Sequence, residues 1–341
     1  MNMLRTLAHH FLPYAFSLLG LFGVYLGGSW MGVGIIVLFI IHPILDHLFT
    51  KVFGEIQKLD HSPSNVSVYL YPLYQTIALI WGIHLISLET STTYQTFGAI
   101  SLGLITGGFG ITLGHELIHR PKKWEIGLGV LLLSQVSYSI FRIEHVFGHH
   151  RNVGTPKDCV SARLGENIYS FIPKAILKSF FSAWEIEQSR VKIKQLSIFK
   201  NRLFHYLVFQ IFWMALFYAI GGHVGLFIFL AQSIIAVILL ELVDYIEHYG
   251  LQRKEISPGV YEPVTEKHSW DTNFFVTNTS LFNLGKHAHH HRQAGLPYQK
   301  LQSSEKANQY QFGYSTAILI TLIPPLWIKL INPKINTSFL K

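Results

Sequence analysis

The chain has 341 residues, of which 50% are hydrophobic and only 13% charged. Soluble domains carry roughly 25% charged residues, so the composition excludes an ordinary water-soluble globule and points to an integral membrane protein. The formal net charge of +8 suits contact with anionic lipid headgroups or an acidic soluble partner.

In chain order, the first apolar stretch is too long for a signal-peptide core and has no clear cleavage site. No Lys, Arg, Asp or Glu occurs from His9 through Leu45. Gly27-Gly28-Ser29 divides this stretch into spans at about 11–28 and 31–49, each near the roughly 20 residues a crossing helix needs. A polar link with Lys51, Glu55, Lys58 and Asp60 follows. Further spans fit 68–88, 96–114, 203–220 and 223–243, the last two meeting at Gly221-Gly222. The expected fold is therefore an all-α integral membrane protein of six transmembrane helices, with residues 1–341 as a single membrane-embedded domain. The stretch 312–331 is interrupted by Pro324-Pro325 and carries Lys329, so it is expected at the interface. The connections near 28–31, 88–95 and 220–224 hold no Lys or Arg. The positive-inside rule then makes the opposite side, with both termini, cytoplasmic. Ile126–Phe141 is also apolar, and is expected to be re-entrant or to lie against the bundle.

Nineteen histidines, as many as Asp and Glu together, need a cause, and most gather in four sets. His115-Glu116-Leu-Ile-His119 is H-E-x-x-H, with both imidazoles on one helical face. Alone it reads as a zinc-protease helix with Glu116 as general base. Glu144-His145-Val-Phe-Gly-His149-His150 follows, with His145 and His149 again expected on one face. The third set is Asp244-Tyr-Ile-Glu247-His248, and the fourth is His287-Ala-His289-His290-His291. All four emerge on the side assigned to the cytoplasm. His115, His119, His145, His149, His150, His248, His287, His290 and His291 make nine candidate ligands, too many for one ion and suited to two. Imidazole serves zinc, copper, iron and nickel alike. A lone histidine is more often packed or exposed than ligating, so His9, His10, His42, His47, His61, His84, His205, His223 and His268 are set aside. His289 is left out because it falls off the H-x-x-H-H spacing. Cys159 is the single cysteine, which excludes a disulfide framework and a thiolate metal site.

With these boxes the chain resembles the membrane-bound alkane 1-monooxygenases, part of the integral-membrane non-haem di-iron group that includes fatty-acid desaturases and xylene monooxygenase. The resemblance covers about residues 40–335. Besides the histidine sets it rests on Gly154-Thr-Pro-Lys-Asp-Cys-Val-Ser-Ala-Arg163, Tyr245-Ile-Glu-His-Tyr-Gly-Leu-Gln-Arg253, Lys267-His-Ser-Trp270 and Pro324-Pro-Leu-Trp327. Glu-His-Tyr-Gly is the most specific, since desaturases resemble the other boxes but not that one. Asp244 stands where the family usually has Asn, Leu284-Gly-Lys286 replaces Leu-Gln-Arg, and His289 replaces Asp.

The resemblance implies two Fe ions, O2 as oxidant, and hydroxylation of an alkane's terminal carbon to a primary alcohol. It implies a bacterial inner-membrane enzyme with a cytoplasmic di-iron site, taking its hydrophobic substrate from the bilayer and electrons from a rubredoxin-type soluble donor. A chain with one cysteine holds no rubredoxin-type or iron–sulfur centre of its own. The basic residues Arg120, Lys122, Lys123 and Lys192 to Lys200 suit an acidic donor, although the positive-inside rule accounts for the same charges. Glu116, Glu144, Asp244, Glu247 and Asp271 would orient ring N–H groups and balance charge, with Glu116 or Glu247 the alternatives for direct ligation. Competing expectations are a hydroxylase or desaturase acting on aromatic methyl groups or fatty-acyl chains, and a membrane zinc metalloprotease.

Overall fold

The computed structural model describes residues 2–54 and 65–335; the link carrying Glu55, Lys58, Asp60 and His61 lies outside them. Inside a bilayer every backbone polar group must be paired within its own segment, and the uncharged apolar runs accordingly form long helices. Helix α1 (Asn2–Leu26), α2 (Gly28–Phe53), α3 (Val66–Leu88) and α4 (Thr92–Ile118) are the first four. Gly27 joins α1 to α2 at φ 74°, a left-handed conformation that glycine adopts without steric cost.

Helix α4 is almost wholly enclosed by its neighbours. Its small residues permit this. A Cβ at Gly103 would lie 2.7 Å from the Gln232 carbonyl oxygen, and one at Gly107 2.9 Å from Ala236 Cα. Close approach of the later helix is thus built into the glycine positions. A π-helical turn at Thr106–Ile111 interrupts α4 just before its histidines. Helix α5 (Lys123–Ser134) packs back against the end of α4, where a Cβ at Gly129 would sit 2.9 Å from the Gly114 carbonyl. The apolar 126–141 stretch therefore lies against the bundle.

A helical stretch α6 (141–152) carries the second histidine set, and α7 (Ile168–Ile193) follows. Helix α8 (Arg202–His248) has 47 residues. Straight, it would be about 70 Å long, more than twice the hydrocarbon thickness. It is not straight. Gly221 (φ −132°, ψ 16°) and Gly222 (φ 60°, ψ −146°) leave the helical conformation, where the turn between the expected fifth and sixth spans falls. Among the described residues five helices are long and apolar enough to cross a membrane, α8 counted once.

The C-terminal part is made of short elements. A hairpin pairs β1 (Glu255–Ser257) with β2 (Val260–Tyr261), and β3 (Trp270–Asp271) runs parallel to β4 (Asn308–Gln309). Around them lie α9 (Phe275–Ser280), α10 (His287–Arg292), α11 (Tyr314–Thr321) and α12 (Pro324–Ile331). The stretch 312–331 thus forms two eight-residue helices, each about 12 Å long. Asp46 of α2 pins this part to the spans. Its buried carboxylate accepts the backbone N–H of Val276 (2.7 Å) and Thr277 (3.0 Å) and the Thr277 hydroxyl (2.5 Å), satisfying donors that the first turn of α9 would leave orphaned.

Asp46→Ala strands those two buried N–H groups, and about 3 kcal/mol of stability is expected to go with them. A thermal-unfolding series in detergent should show a lowered midpoint; an unchanged midpoint would show that α9 is held by other contacts.

Candidate metal centre

His115 and His119 end α4 with ring centroids 5.1 Å apart, as their i, i+4 spacing dictates. On α6 the rings of His145 and His149 are also 5.1 Å apart, but they join different groups. His145–His149 is a π turn, with the His150 N–H bonded to the His145 carbonyl. A π turn brings i and i+5 into line, so His150 Nε2 meets His145 Nε2 at 3.0 Å, while His149 Nε2 lies 3.2 Å from His291 Nε2. Helix α10 divides likewise. His287 and His291 meet at 3.0 Å across one turn, and His290 faces His150 at 3.1 Å. His248, ending α8, reaches His287 at 3.1 Å.

The nine histidines thus converge as two groups. One holds His115, His119, His145, His150 and His290; the other holds His149, His248, His287 and His291. Within each group the candidate ligand atoms all lie within 4.8 Å of one another. The groups adjoin, the His150 and His291 rings stacking at 4.4 Å. Neither contains a carboxylate.

Proton placement tests whether a cation fits. A neutral imidazole carries one N–H. In the four-histidine group two Nδ1 atoms meet acceptors. His149 Nδ1 is 3.0 Å from Asp158 Oδ2 and His248 Nδ1 is 3.3 Å from the His268 carbonyl. These partners hold the proton on Nδ1 and leave Nε2 of His149 and His248 as a lone pair, facing His291 Nε2 at 3.2 Å and His287 Nε2 at 3.1 Å. His287 Nδ1, 3.2 Å from Glu247 Oε1, and His291 Nδ1 are buried without a hydrogen bond. In the five-histidine group His115 Nε2 and His119 Nε2 are buried without a hydrogen-bond partner. A metal ion resolves both. Two nitrogens about 2.1 Å from one ion, at right angles, lie about 3.0 Å apart, matching the observed spacings. Burial also holds His119, His145, His150, His287, His290 and His291 well below the usual imidazole pKa, which keeps the rings neutral and ready to ligate.

The carboxylates differ in role. Glu247 faces His287, and its Oε1 also accepts the Tyr314 hydroxyl at 2.8 Å. Glu116 is engaged elsewhere, by Arg120 at 2.6 Å and the Tyr298 N–H at 3.2 Å, which leaves the protease-type general base turned to a structural ion pair. Glu144 accepts from Ser182 Oγ at 3.3 Å. Asp244 lines a cavity. Asp271 caps α10, accepting the Ala288 N–H at 2.7 Å. His289 lies outside both groups, its Nδ1 accepting from the Gln302 N–H at 2.9 Å.

Two partners were not singled out from sequence. Asp158 lies in the Gly154–Arg163 segment, and a carboxylate nine residues past His149 was the available signal. The His268 carbonyl is main chain and leaves no signal at all.

A narrow cavity opens on His115, His145 and His287. Leu38, Ile111, Leu239, Leu240, Val243, Leu281 and Ile318 make its walls apolar, with Gly107 and Gly108 of the π turn among them.

The fatty acid desaturase family model matches residues 91–318, a region containing all nine histidines. Over 323 residues the chain is 36% identical to alkane 1-monooxygenase 2 of Pseudomonas aeruginosa, covering 91% of this chain and 85% of that protein. Over 243 residues it is 42% identical to alkane 1-monooxygenase 2 of Alcanivorax borkumensis, covering 70% and 63%. The chain belongs to the alkane 1-monooxygenase branch of the fatty acid desaturase family. Similarity extends beyond that branch, at 28% identity over 338 residues, to the xylene/toluene monooxygenase hydroxylase component of Pseudomonas putida, covering 97% and 89%. The alkane 1-monooxygenase match extends the similarity to 91% of the chain, helices α1 to α3 lying ahead of the desaturase match.

Asp158→Asn is expected to weaken metal retention by the four-histidine group by about 10–100-fold, leaving the five-histidine group loaded. Metal per chain counted by plasma mass spectrometry across a chelator series should fall in two steps well separated in chelator strength; coincident steps as in the parent chain would deny Asp158 this role.

Proposed function

We propose that this chain is a membrane alkane 1-monooxygenase that hydroxylates the terminal carbon of alkanes with O2. The observation that carries the proposal is the pairing of two all-histidine groups with an apolar cavity that opens onto them. The alkane 1-monooxygenases matched over about nine-tenths of the chain support the substrate class.

Iron is the proposed metal, with His115, His119, His145, His150 and His290 holding one ion and His149, His248, His287 and His291 the other. Bound iron supplies the reduction of O2 and the transfer of one of its oxygen atoms to carbon. The chain's own residues do the rest. Asp158 and the His268 carbonyl hold the proton on Nδ1 of His149 and His248, so that each Nε2 keeps its lone pair for the metal. Leu239, Leu240, Val243 and Ile318, with the other apolar wall residues, exclude water from the cavity and give an aliphatic chain favourable contacts there. An apolar cavity bordered by His115, His145 and His287 favours an aliphatic substrate over a polar one.

Electrons come from a separate soluble donor of the rubredoxin type, since Cys159 is the single cysteine. We read α8 as two crossings joined at Gly221-Gly222, giving six spans in one domain over 1–341, with 312–331 at the interface. The connections free of Lys and Arg support an inner-membrane orientation with both termini and the histidines on the cytoplasmic side.

The test uses the full chain in nanodiscs, loaded with Fe(II) and given a rubredoxin, its reductase, NADH, 18O2 and octane. The expected product is 1-octanol carrying one 18O, with two irons per chain. Oxidation of p-xylene but not octane would move the substrate to aromatic methyl groups, as the xylene/toluene relative allows. A chain that retains zinc alone and consumes no O2 overturns the proposal.

Gly108→Phe provides a second check. A Cβ there meets only Leu239 Cδ2, at 3.8 Å, so a phenyl ring has room to enter the cavity. Octanol formation is expected to fall by about 10-fold or more, the range a misplaced substrate costs, with iron content unchanged.

A further inference from the structure

The segment joining α7 to α8 presents large apolar side chains to the outside. Ile193 is 80% exposed, Ile198 61% and Phe199 79%. Lys192, Lys194 and Lys200 stand exposed among them.

This exposure is not slackness, because the base of the loop is clamped. The Glu187 carboxylate, fully buried, accepts from Arg190 Nε and Nη2 at 2.9 Å each, from Arg202 N–H and Nε at 2.9 Å each, and from Arg202 Nη2. Arg190 also donates to the Lys200 carbonyl at 2.6 Å, and His205 Nε2 to the Phe199 carbonyl at 3.0 Å. The loop's backbone is paired internally too. The N–H groups of Lys194, Gln195 and Leu196 return to Arg190, Lys192 and Val191, and those of Lys200 and Asn201 to Ser197 and Ile198.

A rigid loop that satisfies its own backbone and turns its apolar side chains outward suits a setting where water is scarce. Its position gives the setting. Phe199 lies three residues before α8, whose exposed Leu207, Val208, Ile211 and Phe212 form the lipid-facing surface of a membrane span. The loop's apolar face is continuous in sequence with that surface.

We propose that loop 193–200 is a membrane-interface anchor. Ile193, Ile198 and Phe199 enter the boundary between headgroups and acyl chains, and Lys192, Lys194 and Lys200 meet the phosphates of anionic lipids. The lysines are thereby occupied by lipid rather than by a soluble acidic protein. The proposal rests on the membrane embedding of the chain and not on its activity.

The test places a nitroxide at Phe199→Cys, and separately at Ile198→Cys, in the full chain in nanodiscs; buried Cys159 stays unlabelled. Collision rates with O2 and with a water-soluble nickel chelate are compared with labels at Val208→Cys in the span and Glu255→Cys on the exposed hairpin. Expected is a nickel collision rate several-fold below that of the hairpin label and an O2 rate near that of the span label. Adding phosphatidylglycerol to phosphatidylcholine should lower the nickel rate further, and a combined Lys192→Gln, Lys194→Gln and Lys200→Gln variant should lose that lipid dependence. Nickel access equal to the hairpin label overturns the anchor. So does protection that appears only when an acidic donor protein is added, which would make the loop a docking face. Indifference to phosphatidylglycerol overturns the role given to the lysines.

Discussion

Imidazole nitrogens facing one another inside a dry protein are what the rest of this structure is arranged around. His248 Nε2 lies 3.1 Å from His287 Nε2, and the His268 carbonyl holds the His248 N–H on the far side of its ring. With a cation the arrangement is a ligand set already in place, and the cost of bringing nine rings together is met by the packing of four separate segments. The glycines of α4, the π turn of α6 and the cap that Asp271 places on α10 all serve that convergence.

Neutral ligands leave the charge of any bound cation to be balanced elsewhere. A divalent ion in a low-dielectric interior is strongly disfavoured unless negative charge lies near. Here the carboxylates stand one layer out. Asp158 and Glu247 touch ligand rings, and Asp244 and Glu247 border the cavity. The rest of that cavity's wall is mainly aliphatic. Keeping carboxylates out of both histidine groups separates this site from soluble di-iron bundles, in which carboxylates ligate directly. Glu116 shows how fully context decides such a role, since Arg120, four residues on and just past the end of α4, takes its charge.

The lipid-facing parts follow one rule at two depths. Along α8 the exposed residues are aliphatic and aromatic, as hydrocarbon requires. Just ahead of α8 the same apolar character is interleaved with lysine, as the headgroup zone requires. The Glu187 clamp between them ties α7, a helix behind the histidines, to the membrane boundary, so that the centre and the bilayer keep a fixed relation.

Sequence alone determined much here, because the relevant forces are local. Runs without charge become helices wherever lipid denies the backbone other partners, and i, i+4 histidines share a face wherever the helix is regular, as His115 with His119 and His287 with His291 show. The resemblance carried by the Glu-His-Tyr-Gly element named the family for the same reason: its residues are contiguous. The tertiary structure decided how nine ligands divide into five and four. His150 pairs with His145 only because α6 turns as a π helix there, and His149 meets His291 from 142 positions away. Asp158 as the partner of His149, the His268 carbonyl as the partner of His248, and Arg120 as the captor of Glu116 are likewise outcomes of packing. Each depends on where distant backbone segments come to rest, and residue identity at one position carries no record of that.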